Sequence, residues 1–87
     1  MKFIEYYKAF EKDFNTTIMQ VKDGLQWLYK GNTKLITSKA LGIYKRNNVD
    51  MYEVLRIISV DKRFNGSERS ALKIVKIFKL RSYQNES

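Results

Sequence analysis

The last strongly patterned stretch of the chain, residues 67–81, carries basic side chains at a spacing that could bind phosphate. Arg69, Lys73 and Lys76 recur at intervals of four and three residues, which places them on one side of an α-helix. Apolar residues fill most of the remaining circumference, so the cations would face solvent while the helix packs. Exposed lysine and arginine side chains contact the backbone of nucleic acids. The stretch therefore predicts a basic amphipathic helix with a binding surface.

Two preceding segments contribute basic residues in the same way. Lys39 and Arg46 are seven residues apart, and so are Arg56 and Arg63. If both segments are helical, the members of each pair lie on one side of their helix. We predict that nucleic-acid contacts come from one shared basic face formed by Lys39, Lys45, Arg46, Arg56, Arg63, Arg69, Lys73 and Lys76.

The positive charge is concentrated in the later part of this 87-residue chain, whose formal net charge is +8. Residues 1–33 contain five basic and four acidic side chains, whereas residues 34–87 contain twelve basic and five acidic ones. A field of one sign attracts polyanions, so the expected partner is DNA, RNA or an acidic protein surface. The 12 Lys, eight Ile and six Asn are also what AT-rich codons supply. The composition of a low-GC bacterial or phage genome is therefore a competing explanation for part of the charge.

The residue types that usually carry out catalysis are scarce. Histidine and cysteine are absent, so the chain lacks the usual near-neutral acid or base and a thiolate. Asp50 and Glu53 are three residues apart, a spacing that a helix capping box explains better than a cation site. The sequence contains neither a serine nucleophile motif nor a glycine-rich phosphate loop. We therefore predict a non-enzymatic protein without a metal or cofactor.

Length and hydropathy limit the domain organisation and the cellular address. The chain suffices for one domain, which we place at residues 1–81, followed by a polar tail at residues 82–87. No apolar run is long enough for a membrane span, and residues 1–14 contain acidic side chains where a signal peptide would be apolar. The absence of cysteine suits a reducing compartment. We expect a cytoplasmic protein without a membrane partner.

Apolar periodicity predicts the helices that would position the basic residues. In residues 2–14 the apolar side chains recur at intervals of three and four residues, and Asn15 suits the left-handed position at the end of a helix. Residues 33–46 and 50–64 show similar patterns, and Asp50 suits the cap of the second.

The boundary between the last two predicted helices also has a clear signal. Asn65 and Gly66 would end one helix, with Gly66 in the left-handed position, and Ser67 would cap the next. Stop and start signals thus coincide, which predicts a short connection.

Residues 16–38 fit two different structures. Their apolar side chains mark one face of a helix, yet Asp23-Gly24 and Gly31-Asn32 are two-residue hairpin signals. A helix would have to accommodate Gly24 at about 1 kcal/mol relative to alanine. We favour the helix, and hence an all-α fold consisting of a compact bundle of about five short helices. The alternative is an α+β fold with residues 16–38 as a β-meander.

A second function is also compatible with the composition. The chain could be a protein–protein interaction module, such as a small regulator or inhibitor of the phage-encoded kind, that docks on an acidic partner surface. Trp27 and Tyr29 are the candidate anchors, because aromatic residues are common hot spots of interfaces. We place this function second to a nucleic-acid-binding or regulatory module that contacts phosphates.

Overall fold

The computed structural model of the chain describes residues 3–86, with side chains for residues 5–81. Within these residues it contains four helices and a three-stranded antiparallel sheet. The fold is therefore α+β, and the predicted all-α bundle of five helices is wrong. Residues 17–37 form the β-meander of the alternative, which was expected over residues 16–38. The order along the chain is α1 (Phe3–Phe14), β1 (Thr17–Val21), β2 (Gly24–Tyr29), β3 (Asn32–Thr37), α2 (Ser38–Arg46), α3 (Met51–Val60) and α4 (Glu68–Glu86).

The turn between β2 and β3 uses backbone conformations that a helix cannot accommodate. Lys30 and Gly31 have φ angles of 50° and 79°, and Tyr29 pairs with Asn32 on either side of them. Two successive residues with positive φ match the right-handed twist of a tight hairpin. The turn thus begins one residue before the predicted Gly31-Asn32 pair.

Gly24 begins β2 at a place where no side chain fits. Its φ is 145°, and a Cβ atom there would lie 1.8 Å from the carbonyl oxygen of Ile36 on β3. Val21 pairs with Gly24, so the two turn residues are Lys22 and Asp23. The glycine that would have weakened a helix instead allows two strands to approach each other.

Alternation along the strands gives the sheet one buried and one exposed face. Leu25, Trp27 and Ile36 point to the inner face and are at most 1% exposed. Helix α2 packs against β2 and β3, helix α1 against β1, helix α4 against α2, and helix α3 against α1. The core lies between the sheet and the helices, and each fully buried apolar side chain in it contributes about 1.5–3 kcal/mol. Its largest members come from both layers: Trp27, Tyr44, Phe10, Leu25, Ile36 and Met51.

Local signals at the helix ends are confirmed by the hydrogen bonds and backbone angles. The carboxylate of Asp50 accepts a hydrogen bond from the Tyr52 amide at 2.9 Å, and the hydroxyl of Ser67 accepts one from the Ser70 amide at 3.2 Å. Asn15, directly after α1, has a φ of 49°. These short-range interactions satisfy the unpaired backbone groups of a helix end wherever the rest of the chain lies.

Gly66 has a different role from the predicted one. Helix α3 ends at Val60, and Gly66 is not in the left-handed region. A Cβ atom on Gly66 would lie 1.8 Å from the carbonyl oxygen of Leu35, and its own carbonyl accepts the Thr37 amide at 2.9 Å. The loop before α4 is therefore packed directly on β3, which is an edge strand.

The chain end continues the last helix. Helix α4 extends to Glu86, so the backbone of the predicted tail is helical up to that residue. The side chains of residues 82–86, and Ser87 as a whole, lie outside the described part of the chain.

Candidate nucleic-acid interface

The eight predicted phosphate-binding residues lie on three helices and one loop. Helix α2 presents Lys39, Lys45 and Arg46, all exposed, and it packs against α4. Arg56 lies on α3, whereas Arg63 lies in the loop that follows, because α3 ends earlier than predicted. The packing of α2 on α4 brings the largest groups of predicted cations onto neighbouring helices.

Arg56 and Arg63 are paired with carboxylates. Arg56 donates to Glu53 at 3.0 Å, and Arg81 approaches the same carboxylate at 3.8 Å. Arg63 pairs with Asp61 at 2.7 Å, and its hydrogen bonds lower the pKa of the Asp61 carboxyl group. A cation bonded to a carboxylate offers less net charge to a phosphate. We therefore rank Arg56 and Arg63 below Arg69, Lys73 and Lys76.

The exposed side of α4 keeps its positive charge. Arg69, Lys73 and Lys76 are exposed, and none of the described carboxylates lies within ion-pair distance of them. Two apolar residues, Leu72 and Leu80, are also exposed on this helix, at 58% and 55%. The surface of α4 is thus cationic with apolar positions between the charges.

The two predicted aromatic anchors belong to the core. Trp27 is 1% exposed and Tyr29 is 7% exposed. The ring of Tyr29 lies among other aromatic rings, with its centroid 6.2 Å from that of Phe10 and 6.3 Å from that of Phe14. A partner that approached this sheet would instead meet its outer face.

The outer face of the sheet carries exposed apolar side chains and no charged residue. Met19 and Leu35 both pair with Gln26, so these three form one row across the strands, and Leu28 follows on β2. Met19, Leu28 and Leu35 are 54%, 55% and 43% exposed. The outward positions, which include no charged residue, are Thr17, Met19, Val21, Gly24, Gln26, Leu28, Thr33, Leu35 and Thr37.

Sequence reasoning missed a second basic site between the β2–β3 hairpin and the end of α3. A groove with a volume of about 640 Å³ lies there, and three lysines line it: Lys30, Lys34 and Lys62. None of the described residues that line the groove is acidic. The three lysines are spread over 33 residues of sequence, so no periodicity could have connected them.

Two of these lysines lie close to one aromatic ring. The Nζ atoms of Lys30 and Lys34 lie 5.4 Å and 5.6 Å from the centroid of the Tyr29 ring, within the range of cation–π attraction. Such contacts restrict the long side chains before any ligand arrives. Tyr29-Lys30 was visible in the sequence as an aromatic–basic pair, but its part in a groove required the fold.

Uncharged donors complete the lining of the groove. The hydroxyl oxygen of Ser59 is buried and has no hydrogen-bond partner among the described residues. The side-chain oxygen of Asn65 accepts hydrogen bonds from the Ser67 amide at 2.9 Å and the Ser70 hydroxyl at 3.0 Å. This arrangement leaves the NH₂ group of Asn65 free to donate elsewhere.

No protein-family model, curated protein or solved structure matches the chain. The candidate interface therefore rests on the geometry and charge of these residues. Among the described helices, none has the length and apolar character needed to cross a bilayer. The described acidic side chains do not form a group of three that could hold a metal ion.

Proposed function

We propose that the protein is a small non-enzymatic module that binds nucleic acid, in a regulatory role, through phosphate contacts. The observation that carries the proposal is the row of Arg69, Lys73 and Lys76, exposed on α4 without a described acidic partner. At 1.5 Å per residue the row is about 10 Å long. This length corresponds to about three phosphate intervals along one strand.

The charges on α4 do not serve the fold. Like charges at a spacing of three or four residues destabilise a helix by a few tenths of a kcal/mol each. A polyanion would remove this repulsion and release its own counterions on binding. Helix α2, which packs against α4, carries three further exposed cations: Lys39, Lys45 and Arg46.

The test is a binding titration with duplex DNA, single-stranded DNA and RNA at several salt concentrations. The variant combines Arg69→Gln, Lys73→Gln and Lys76→Gln, and the matched control combines Lys8→Gln, Lys12→Gln and Lys22→Gln. Each lost phosphate contact should reduce the slope of log affinity against log salt by about 0.9 for duplex DNA. We therefore expect the α4 variant to lose up to about 2.7 of the slope and the control to change little. Failure of the wild-type protein to bind any of the three nucleic acids at low salt would contradict the proposal.

A protein-interaction function is the alternative, and the exposed apolar residues of the sheet favour it. Because Trp27 and Tyr29 are buried, the anchors would be Met19, Leu28 and Leu35 on the outer face. A pull-down from nuclease-treated lysate, repeated with Met19→Ser, Leu28→Ser and Leu35→Ser combined, separates the two functions. A partner that the wild type retains after nuclease treatment, and that this variant no longer binds, would support the alternative. Loss of every partner on nuclease treatment would reject it.

A further inference from the structure

We infer that the groove between the β2–β3 hairpin and α3 is a second phosphate-binding site, which takes the sugar–phosphate backbone of the nucleic acid bound by α4. This inference rests on the proposed function and adds a site on the other side of the loop that leads into α4. The groove residues that carry it are Lys30, Lys34, Lys62 and Asn65.

Charge is the first reason. Three ammonium groups line one concave surface, and none of the described lining residues is acidic. A concave site focuses the field of its charges and raises the local concentration of anions. Arg56 and Arg63 are held by neighbouring carboxylates, whereas none of the ion pairs in the described structure involves a groove lysine.

Preorganisation is the second reason. Lys30 and Lys34 both lie within cation–π distance of the Tyr29 ring, which is itself 7% exposed and packed in the core. Ordering a long side chain on binding costs conformational entropy, and part of that ordering has already occurred here. The backbone that carries Lys30 belongs to a tight hairpin turn, in which Lys30 and Gly31 both have positive φ angles.

A neutral donor is the third reason. The side-chain oxygen of Asn65 accepts two hydrogen bonds, which leaves its NH₂ group to donate elsewhere. Phosphate oxygens accept hydrogen bonds from amide groups as well as from ammonium groups.

One lining residue of the groove is also hydrogen-bonded to the first turn of α4. Asn65 lines the groove and bonds to Ser70 on α4, and Arg69 is exposed on the same turn. One extended strand could therefore contact the groove and the row of cations on α4. This connection predicts that the groove and the cations of α4 both contribute to the salt dependence of the affinity for one nucleic acid.

The experiment compares two variants that remove equal charge. The groove variant combines Lys30→Gln, Lys34→Gln and Lys62→Gln, and the control combines Lys8→Gln, Lys12→Gln and Lys22→Gln. With duplex DNA the slope of log affinity against log salt should be up to about 2.7 smaller for the groove variant than for the wild type. Between about 50 and about 200 mM salt, the loss of affinity of the variant should therefore be about 40-fold smaller than that of the wild type. The control should keep the wild-type slope.

The outcomes separate the two proposals. If the wild type binds and the groove variant behaves like the control, the groove site is refuted while the function proposed for α4 stands. If the wild type binds no nucleic acid, the proposed function fails and the groove site fails with it. If the groove variant loses binding to phosphatidylglycerol vesicles and keeps its affinity for DNA, the nucleic-acid assignment of the groove is overturned.

A second measurement needs no variant, and it covers the case in which Lys34→Gln disturbs the hairpin. Isotope-labelled wild-type protein is titrated with a short thymidine oligonucleotide, and the backbone amide resonances are followed. We expect shifts at Gly31, Ser59 and Asn65 in addition to those on α4. Shifts confined to α2 and α4 would overturn the groove site.

Discussion

The outer face of the sheet and the exposed side of α4 have opposite chemistry although both are open to solvent. The sheet face presents Met19, Leu28 and Leu35 and has no charged residue at any outward position. The exposed side of α4 carries Arg69, Lys73 and Lys76 within two turns. A genome rich in AT codons would supply lysine to both surfaces alike. This segregation of charge supports the proposed polyanion binding at α4 more than it supports composition alone.

The loop at Gly66 joins these two regions, and a change there should have the largest effect. In Gly66→Ala the new Cβ would meet the backbone of Leu35 at 1.8 Å, so the loop must leave β3 and the Thr37 amide must lose its acceptor. We expect a loss of about 3 kcal/mol in the free energy of unfolding, measured by urea denaturation.

Gly31→Ala is the control for that prediction. A Cβ at Gly31 meets no atom within 4 Å, and the strain of its φ of 79° should cost about 1 kcal/mol. If Gly66→Ala and Gly31→Ala lose the same free energy of unfolding, the contact between the loop and β3 does not hold α4 against the sheet.

Cations placed on the outer face of the sheet test whether the difference in charge between this face and α4 determines where nucleic acid binds. Met19→Lys combined with Leu35→Lys adds two charges on either side of Gln26, at exposed positions where substitutions change stability by about 0.5 kcal/mol or less. If nucleic acid binds only at α4 and the groove, the salt slope for duplex DNA should keep its wild-type value. An increase approaching 1.8, about 0.9 for each added lysine, would mean that the sheet face also contacts phosphate.

The buried side of α2 carries Tyr44, in contrast to the exposed cations on its other side. A change at this residue should have the smallest effect on stability near neutral pH. Tyr44 is 0% exposed, its hydroxyl has no described partner, and burial raises its pKa. In the unfolded chain a tyrosine ionises near pH 10. Above that pH the unfolded state loses a proton that the folded state keeps, so the stability of the wild type should fall as pH rises.

Tyr44→Phe removes that contribution. At neutral pH it should leave stability unchanged or raise it by about 1 kcal/mol, because an unpaired buried hydroxyl is lost. Urea denaturation at pH values below and above 10 should show a smaller alkaline loss in the variant. Tyr7 and Tyr52 also have raised pKa values, but they are present in both proteins and cancel in the difference. A parallel alkaline decline in the two proteins would contradict the assignment to Tyr44.

Local signals in the sequence were sufficient for the end of α1 and for the starts of α3 and α4, but not for the end of α3, which lies at Val60. Asn15, Asp50 and Ser67 act within one turn of their own position, so their roles do not depend on the rest of the fold. The spacing of residues 16–38 was ambiguous because the same apolar side chains fit a helix face and a pair of strand faces. The turns distinguish the β-meander from the helix, because Lys30 and Gly31 adopt positive φ angles and Gly24 allows β2 to approach β3.

The excess of cations, the absence of histidine and cysteine, and the basic row on α4 follow from the sequence alone, because composition and helical periodicity need no partner elsewhere in the chain. The burial of Trp27 and Tyr29 in the core depends on the tertiary fold, since the face of a strand that is buried depends on what packs against it. The tertiary fold also sets which cations are paired and which converge. Lys30, Lys34 and Lys62 form one groove because a hairpin and a helix end meet there.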